Sequence, residues 1–195
     1  MLSASAPMRA PCWRLAVLLV LVLALADGTL SMAHAQELHL ANLVLNNFEG
    51  KIRVRFGVEP SSPEHVRQAL DAGERLALRC RAKLALKRDY LWNQELSTAN
   101  LESELRRLRG GEYAVSLPGQ GPMVGKDVSV LLRKAWNEIL LDLGPWDHLQ
   151  RGQTYVVSLE LSLIRLDVSP WVRRGLFFWT FDAAQPVSYQ LDFTY

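Results

Sequence analysis

The side chains best suited to acid–base chemistry in this chain are two pairs of carboxylates. Glu102 and Glu104 lie two residues apart, and Asp182 and Asp192 lie near the C-terminus. Two carboxylates act as general acid and base only when their surroundings drive their pKa values apart. Nothing in the sequence around either pair indicates such surroundings, and there is no G-x-S-x-G elbow. We interpret them as solvated charges and predict no catalytic residue and no enzymatic activity.

A glycine-containing segment superficially resembles a phosphate-binding loop. Gly119, Gly121 and Gly125 precede Lys126. The motif G-x-x-x-x-G-K-[ST] requires a glycine where Gln120 stands, and Ser or Thr at the next position after the lysine, which here is an aspartate. The segment 118–126 is therefore predicted to be a flexible connector that binds no nucleotide.

The residue types that ligate metals are present but scattered. His39, His65 and His148 fall in different predicted elements, without the short spacings of a zinc site. Cys80 alternates with small apolar residues, so we expect a buried, inert thiol. The sequence thus predicts neither a metal nor a cofactor.

The segment 170–179 is the strongest candidate for binding. Its adjacent aromatic side chains cannot all face one core if the backbone is extended, so some should be exposed. Tryptophan and arginine are enriched where proteins contact partners, and both suit a membrane interface. The alternative is a segment that covers the core, with arginines that prevent edge aggregation. The candidate interaction residues are Trp171, Arg173, Arg174, Phe178 and Trp179.

Alternating apolar and polar side chains predict that most of the chain is β-strand. Residues 37–46 and 50–58 should form a hairpin, because turn-forming asparagine and glycine residues lie between them. A long strand is predicted over 76–92, another over 155–163, and a last one over 187–195.

Two helices are predicted among these strands. A short helix begins at Ser62, with a proline at its first position, and ends at Gly73. A longer helix is predicted over 127–143, where Asp127 is the N-cap and apolar side chains recur at helical spacing. A Gly-Pro pair follows and ends the helix.

Residues 97–108 fit both a helix and a strand. Leu101, Leu105 and Leu108 recur at helical spacing, whereas the Gly110-Gly111 pair that follows is typical of a hairpin turn. We favour strand, and the sequence leaves the choice open. The whole pattern predicts a mainly β (α+β) fold, an antiparallel β-sandwich-like domain with one or two short helices packed on it.

The N-terminal segment has the three parts of a secretory signal. Two arginines precede an apolar run over 15–26, and an A-x-A sequence ends at Ala35. We therefore expect residues 1–35 to be cleaved and residues 36–195 to form a single globular domain in the periplasm. An inner-membrane anchor is the alternative, but the apolar run is shorter than the roughly 20 residues that span a bilayer.

The charge balance excludes a general attraction to nucleic acid. The full chain has 22 basic and 20 acidic residues, a net charge of +2. Cleavage would remove Arg9, Arg14 and Asp27, which leaves 20 basic and 19 acidic groups and a net charge of about +1. Nucleic-acid binding requires a strongly basic surface, so no nucleic-acid partner is predicted.

The order of elements and several short motifs resemble the bacterial exported family known as domain of unknown function 4390. The motifs are Leu70-x-x-Gly73-x-x-Leu76, a strand that ends in Arg88-Asp89-Tyr90-Leu91-Trp92, a strand with Tyr113, a helix around Ala135, and Gly152-x-x-Tyr155 opening a strand that ends in Leu166-Asp167. The chain departs from the family near its end, where Tyr189-Gln190-Leu191-Asp192-Phe193 replaces a tryptophan-and-serine pattern. The family has no established activity. The resemblance implies export and one domain, and, because members are often encoded near membrane sensor kinases of the nitrogen-regulation type, a sensor kinase as partner.

These observations favour a non-enzymatic interaction module of the cell envelope, which binds through exposed aromatic side chains and a sheet edge. One alternative is a small eight-stranded outer-membrane β-barrel, since the last strand alternates up to Phe193 and Tyr195. The helix over 127–143 and a count of six or seven strands argue against it. An enzyme of unrecognised type is the other alternative. The sequence does not specify the ligand, the oligomeric state or the biological process.

Overall fold

Alternating side chains form nine β-strands in the residues that the computed structural model describes, 38–89, 91–167 and 186–195. The strands, in chain order, are β1 (Leu38–Phe48), β2 (Lys51–Pro60), β3 (Leu76–Leu86), β4 (Gln94–Arg107), β5 (Tyr113–Ser116), β6 (Met123–Gly125), β7 (Ile139–Pro145), β8 (Thr154–Arg165) and β9 (Val187–Thr194). The helices are α1 (Pro63–Asp71) and α2 (Val128–Trp136), and a short 3-10 turn covers Trp146–His148.

The described strands form two antiparallel sheets. One has three strands in the order β1-β2-β7, and the other has six in the order β6-β5-β4-β3-β8-β9. The apolar faces of both sheets and of both helices share one core. This arrangement confirms the predicted mainly β, sandwich-like fold with short helices packed on it.

Strand β3 shows how the alternation creates the two faces of the larger sheet. Leu78, Cys80 and Ala82 are fully buried, whereas Arg79 and Arg81 between them are exposed. Successive side chains of a strand point to opposite faces, so the core face is apolar and the outer face is charged. Neighbouring strands β4 and β8 pair with β3 along its whole length.

Side-chain hydroxyls connect the two sheets at both corners of the sandwich. Ser97 Oγ in β4 donates to the Leu143 carbonyl of β7 over 2.6 Å. At the other corner, the Tyr189 hydroxyl of β9 accepts from the Leu40 amide of β1 over 3.2 Å. These bonds satisfy backbone groups that the edges of the smaller sheet would otherwise leave unpaired.

Helix α2 is attached to the larger sheet by a buried polar pair. The Asp127 carboxylate accepts from the Val130 amide over 3.1 Å and caps the helix. At the other end, Trp136 is fully buried, and its indole Nε1 donates to Ser103 Oγ over 3.0 Å. Ser103 is the buried polar residue of the described core.

The predicted helix over 127–143 is wrong in its second half. Helix α2 ends at Trp136, and the chain continues as strand β7, which pairs with β2. Ile139 and Leu141 are buried while Leu140 between them is half exposed, so the side chains follow the two-residue period of a strand. The same apolar residues also fit helical spacing, and pairing with β2, remote in sequence, decides between the two.

The structure also tests the predicted bounds of three other segments. The ambiguous segment 97–108 is strand, since β4 covers it to Arg107, and the strand favoured from the Gly-Gly turn is confirmed. The strand predicted over 76–92 is too long, because β3 ends at Leu86. The connector predicted over 118–126 contains the short strand β6.

Candidate functional site

The interaction residues singled out by the sequence lie outside the described residues. They are Trp171, Arg173, Arg174, Phe178 and Trp179. Their role in binding stays a prediction.

Among the described residues, the connection between β3 and β4 carries the most exposed aromatic side chain. Trp92 is 94% exposed, and its neighbour Leu91 is 68% exposed. We call the described residues of this connection, 87–89 and 91–93, the Trp92 loop. Aromatic side chains dominate the energetics of cores and interfaces, and a Trp and a Leu this exposed are not part of the core.

The base of the Trp92 loop is fixed to the six-stranded sheet. The Lys87 amide donates to the Thr154 carbonyl over 2.9 Å, which extends the ladder between β3 and β8. Lys87 Nζ lies 2.6 Å from an oxygen of Asp192 in β9. This ion pair raises the pKa of Lys87 and lowers the pKa of Asp192. The Arg88 guanidinium bonds to Gln94 at the start of β4.

The Trp92 loop therefore presents an apolar tip on an anchored base. The same loop carries Arg88, whose charge the Gln94 amide does not neutralise. Little further ordering is needed when a partner covers a loop whose base is already held by hydrogen bonds, and such preorganisation improves affinity. Leu91 and Trp92, the described residues of the tip, carry no nucleophile, so their chemistry is that of a contact surface.

A second surface feature is an open cleft of about 290 Å³ on the smaller sheet, lined by residues of β1, of β2 and of the turn that precedes β7. It lies at a β-bulge, where the β1 register shifts between Ala41 and Val44 and Asn42 adopts a positive φ of 52°. Asparagine tolerates this left-handed conformation better than most residues. The lining residues are Asn42, Val44, Arg55, Phe56, Asn137 and Glu138.

The cleft offers hydrogen bonds and charge, and its one carboxylate, that of Glu138, is held in an ion pair. Arg55 lies 3.5 Å from Glu138, and both side chains are about half exposed. Next to Phe56, β2 approaches the residue that follows α2 closely, because a Cβ on Gly57 would lie 2.9 Å from the Asn137 carbonyl oxygen. The lining side chains could hold a small polar molecule.

A polar cluster at the other side of the fold attaches α1 to β5. The Tyr113 hydroxyl donates to Asp71 Oδ1 over 2.6 Å, and Arg67 donates to Asp71 Oδ2 over 2.6 Å. Arg107 approaches the same carboxylate at 3.5 Å, and Arg67 also bonds to Glu64. The Asp71 carboxylate raises the pKa of Tyr113. A phenol held in its neutral form stabilises the helix contact and is a poor acid.

The carboxylate pairs considered for catalysis are surface ion pairs where they are described. Arg79 lies 2.8 Å from Glu102 and Arg75 lies 2.6 Å from Glu104, each across a pair of neighbouring strands. Asp192 is paired with Lys87, and Asp182 lies outside the described residues. These contacts fit the prediction that Glu102 and Glu104 are charges on a solvated face.

The glycine-containing segment does not form an anion site at the start of α2. In a phosphate-binding loop the free amides of a helix N-terminus would contact the anion. Here the Asp127 carboxylate occupies that position, because it accepts from the Val130 amide. A second negative charge would be repelled there.

The potential metal ligands stay apart in the described part of the chain, which holds no group of three His, Cys, Asp or Glu side chains suited to a metal ion. His39, His65 and His148 lie in β1, α1 and the 3-10 turn. Cys80 is fully buried, and burial raises its pKa to about 12. The predicted buried thiol is confirmed, and a thiol with this pKa is a poor nucleophile at neutral pH.

Sequence reasoning missed the Trp92 loop because it extended the preceding strand through it. A signal was present: Lys87, Arg88 and Asp89 are three consecutive charged residues after an alternating strand, and Asn93 favours a turn. Consecutive charges cannot alternate between a buried and an exposed face. This run should have ended the predicted strand and placed Trp92 in a connection.

No helix in the described ranges is long and apolar enough to cross a membrane.

Comparison with known proteins identifies a family. No curated protein matches the chain in a sequence comparison. One family model, described as a domain of unknown function (DUF4390), matches residues 35–191, which is well over half of the chain. The chain therefore belongs to the family of this domain of unknown function, DUF4390.

Proposed function

We propose that the chain is an exported, non-enzymatic interaction module of the cell envelope, which binds a protein partner through the Trp92 loop. The observation that carries the proposal is the 94% exposure of Trp92 at the tip of an anchored loop. Tryptophan is the residue type most enriched among the side chains that dominate binding energy in interfaces. An indole kept in water by a folded loop gains free energy when a partner buries it.

The loop defines the chemistry of the partner surface. An indole and the Leu91 side chain require an apolar pocket, and the Arg88 charge in the same loop requires an acceptor or a carboxylate on the partner. The extracellular region of a membrane sensor kinase is the partner that the family resemblance implies. Such a region faces the compartment into which this chain would be exported.

Export is supported by the N-terminal sequence. The apolar run over 15–26 and the A-x-A sequence at Ala35 fit a cleaved signal. The protein should be recovered from the periplasmic fraction with Gln36 as its first residue, as shown by N-terminal sequencing. Recovery from the inner membrane with the apolar run intact would contradict cleavage and indicate an anchor.

Replacing Trp92 by alanine tests the contact surface. The binding of the purified extracellular region of a membrane sensor kinase of the nitrogen-regulation type would be measured by titration calorimetry. Truncating an interface tryptophan of this kind costs about 2 kcal/mol or more, so the Kd should rise about 30-fold. The melting temperature should stay unchanged, because Trp92 contributes almost nothing to the core.

Val130→Ala is the matched control, because Val130 is also exposed, at 59%, but lies on α2 away from the loop. Its Kd should stay within about twofold of the unmodified protein, as surface substitutions outside an interface change little. An equal loss of affinity in both variants would contradict a specific role for the Trp92 loop. Absence of binding by the unmodified protein would exclude this sensor as the partner.

A further inference from the structure

The outer edge of β9 is unpaired in the part of the chain that the structure describes. Strand β9 is the last strand of the six-stranded sheet, and its inner neighbour is β8. An unpaired edge offers a row of amide and carbonyl groups to another strand. Proteins usually protect such edges with lysine or proline inside the strand, and β9 has neither between Val187 and Thr194.

The register between β8 and β9 shows which residues present these groups outward. The Tyr195 amide donates to the Gln153 carbonyl over 3.1 Å, so the backbone groups of Tyr195 face β8. The Lys87 amide donates to the Thr154 carbonyl, so those of Thr154 face β3, on the opposite side of β8. Backbone groups alternate along a strand. The odd-numbered residues of β9 therefore bond to β8, and the even-numbered ones face away.

We propose that β9 pairs with β9 of a second copy of this chain, antiparallel, with Leu191 at the twofold axis. The outward-facing residues are Ser188, Gln190, Asp192 and Thr194. The midpoint of this set is Leu191, so this register uses all of them. Ser188 then pairs with Thr194 of the second copy, and Gln190 pairs with Asp192. The pairing would form about eight backbone hydrogen bonds, two for each of four residue pairs.

The side chains of β9 are self-complementary in this register. Leu191 is 37% exposed although it lies on the core-facing side of the strand, and at the axis it would pack on its own copy. The Gln190 amide, which donates to Asp192 Oδ1 of the same strand over 3.1 Å, could donate equally to the copy's carboxylate. No two like charges lie directly opposite each other.

Neighbouring registers are worse for identifiable reasons. A pairing centred on Asp192 would place two carboxylates opposite each other, which is destabilising. Pairings centred on Ser188, Tyr189 or Gln190 would bring Pro186 into the ladder, and proline has no amide to donate. One partner therefore fits the edge particularly well, and it is a second copy of the same strand.

Charge variants at Gln190 test both the dimer and its register. Gln190→Lys places two ammonium groups opposite the two Asp192 carboxylates, and Gln190→Glu places two carboxylates there. Each opposite-charge pair across strands stabilises modestly, so the dimer Kd should fall at least about threefold for the lysine variant and rise as much for the glutamate variant. The difference in dimer Kd between the lysine and glutamate variants should become smaller in high salt, because salt screens exposed charges. Sedimentation equilibrium of the naturally processed protein measures each Kd.

A backbone variant tests the edge itself. Gln190→Pro removes an outward-facing amide from each copy and leaves the ladder to β8 intact, whereas Gln190→Ala keeps the amide. Loss of two hydrogen bonds should raise the dimer Kd about tenfold or more in the proline variant relative to the alanine variant. Circular dichroism melting shows whether the proline variant is folded. If it is not, the charge variants alone decide.

The outcomes separate clearly. If the unmodified protein is still monomeric at about 100 μM, its dimer Kd is weaker than a specific interface of modest size would give, and the proposal is overturned. A dimer whose Kd is the same in the lysine and glutamate variants also overturns it, because the register would be wrong. A tighter lysine variant supports it, and a misfolded protein could not produce that result. None of these results depends on the Trp92 loop.

Discussion

The buried pair of Trp136 and Ser103 should make a measurable contribution to stability, because it is a hydrogen bond inside an apolar core. Both side chains are fully buried, and the bond length is 3.0 Å. Ser103→Ala removes the acceptor and leaves the indole N–H unpaired away from water. An unpaired buried donor costs about 1–3 kcal/mol. For a domain of this size each kcal/mol lowers the melting temperature by about 2–4 °C.

Trp136→Phe leaves the Ser103 hydroxyl unpaired and also removes part of the indole ring. The unpaired hydroxyl costs about 1–3 kcal/mol, and the smaller ring adds about 1–2 kcal/mol for the space it leaves. The double variant has the smaller ring but no unpaired polar group. Its loss should therefore be smaller than the sum of the two single losses by about 2 kcal/mol or more, because both costs of an unpaired polar group are absent.

Equilibrium unfolding in urea, followed by far-ultraviolet circular dichroism, measures all four proteins without depending on tryptophan fluorescence. The slope of unfolding free energy against urea should be the same in each, so that differences in midpoint report stability. Strictly additive losses would refute the reasoning, since they would mean that the two side chains do not interact. A Ser103→Ala variant as stable as the unmodified protein would refute it as well.

Two further predictions concern the same core. Gly57→Ala should cost about 1–3 kcal/mol in urea unfolding, because the new Cβ would lie 2.9 Å from the Asn137 carbonyl oxygen, whereas Gly110→Ala, with open space around it, should be neutral. Cys80, with a pKa of about 12, should resist alkylation by iodoacetamide at pH 8 in the native protein and react rapidly in urea. Because the folded protein keeps a proton that the unfolded chain releases above its ordinary thiol pKa of 9.0, stability should fall as the pH rises from about 9 to about 12.

The parts of the fold that the sequence predicted well are those set by local alternation. The hairpin of β1 and β2 was predicted because alternating strands flank a turn, and the structure pairs Leu45 with Val54 and Phe48 with Lys51. The start of α2 was predicted because Asp127 is a side-chain cap, a signal contained in three residues.

The predictions that were wrong concern segments whose structure depends on pairing with a strand remote in sequence. Ile139, Leu140 and Leu143 fit helical spacing as well as strand spacing, and the sequence alone does not show that β2 is available to pair with them. The exposure of Trp92 was missed for a related reason. The charged run before it indicates a connection, but whether a tryptophan in a connection is exposed or buried depends on what packs over it, and the local sequence does not contain that information.

Asp192 links the two proposed surfaces, and this determines which variants can separate them. Its carboxylate lies 2.6 Å from Lys87 at the base of the Trp92 loop, and its backbone faces outward at the edge of β9. A substitution of Asp192 would loosen the loop and change the charge of the edge together, so a lost interaction could not be assigned to either. Trp92 does not lie in β9, so its variant reports on the loop alone. Gln190 donates to the Asp192 carboxylate that also holds Lys87, so its variants are read at the edge through the dimer Kd and are checked at the loop through partner binding. A dimer would present two Trp92 loops and bind a dimeric sensor with increased avidity, provided that the geometry lets both loops engage at once.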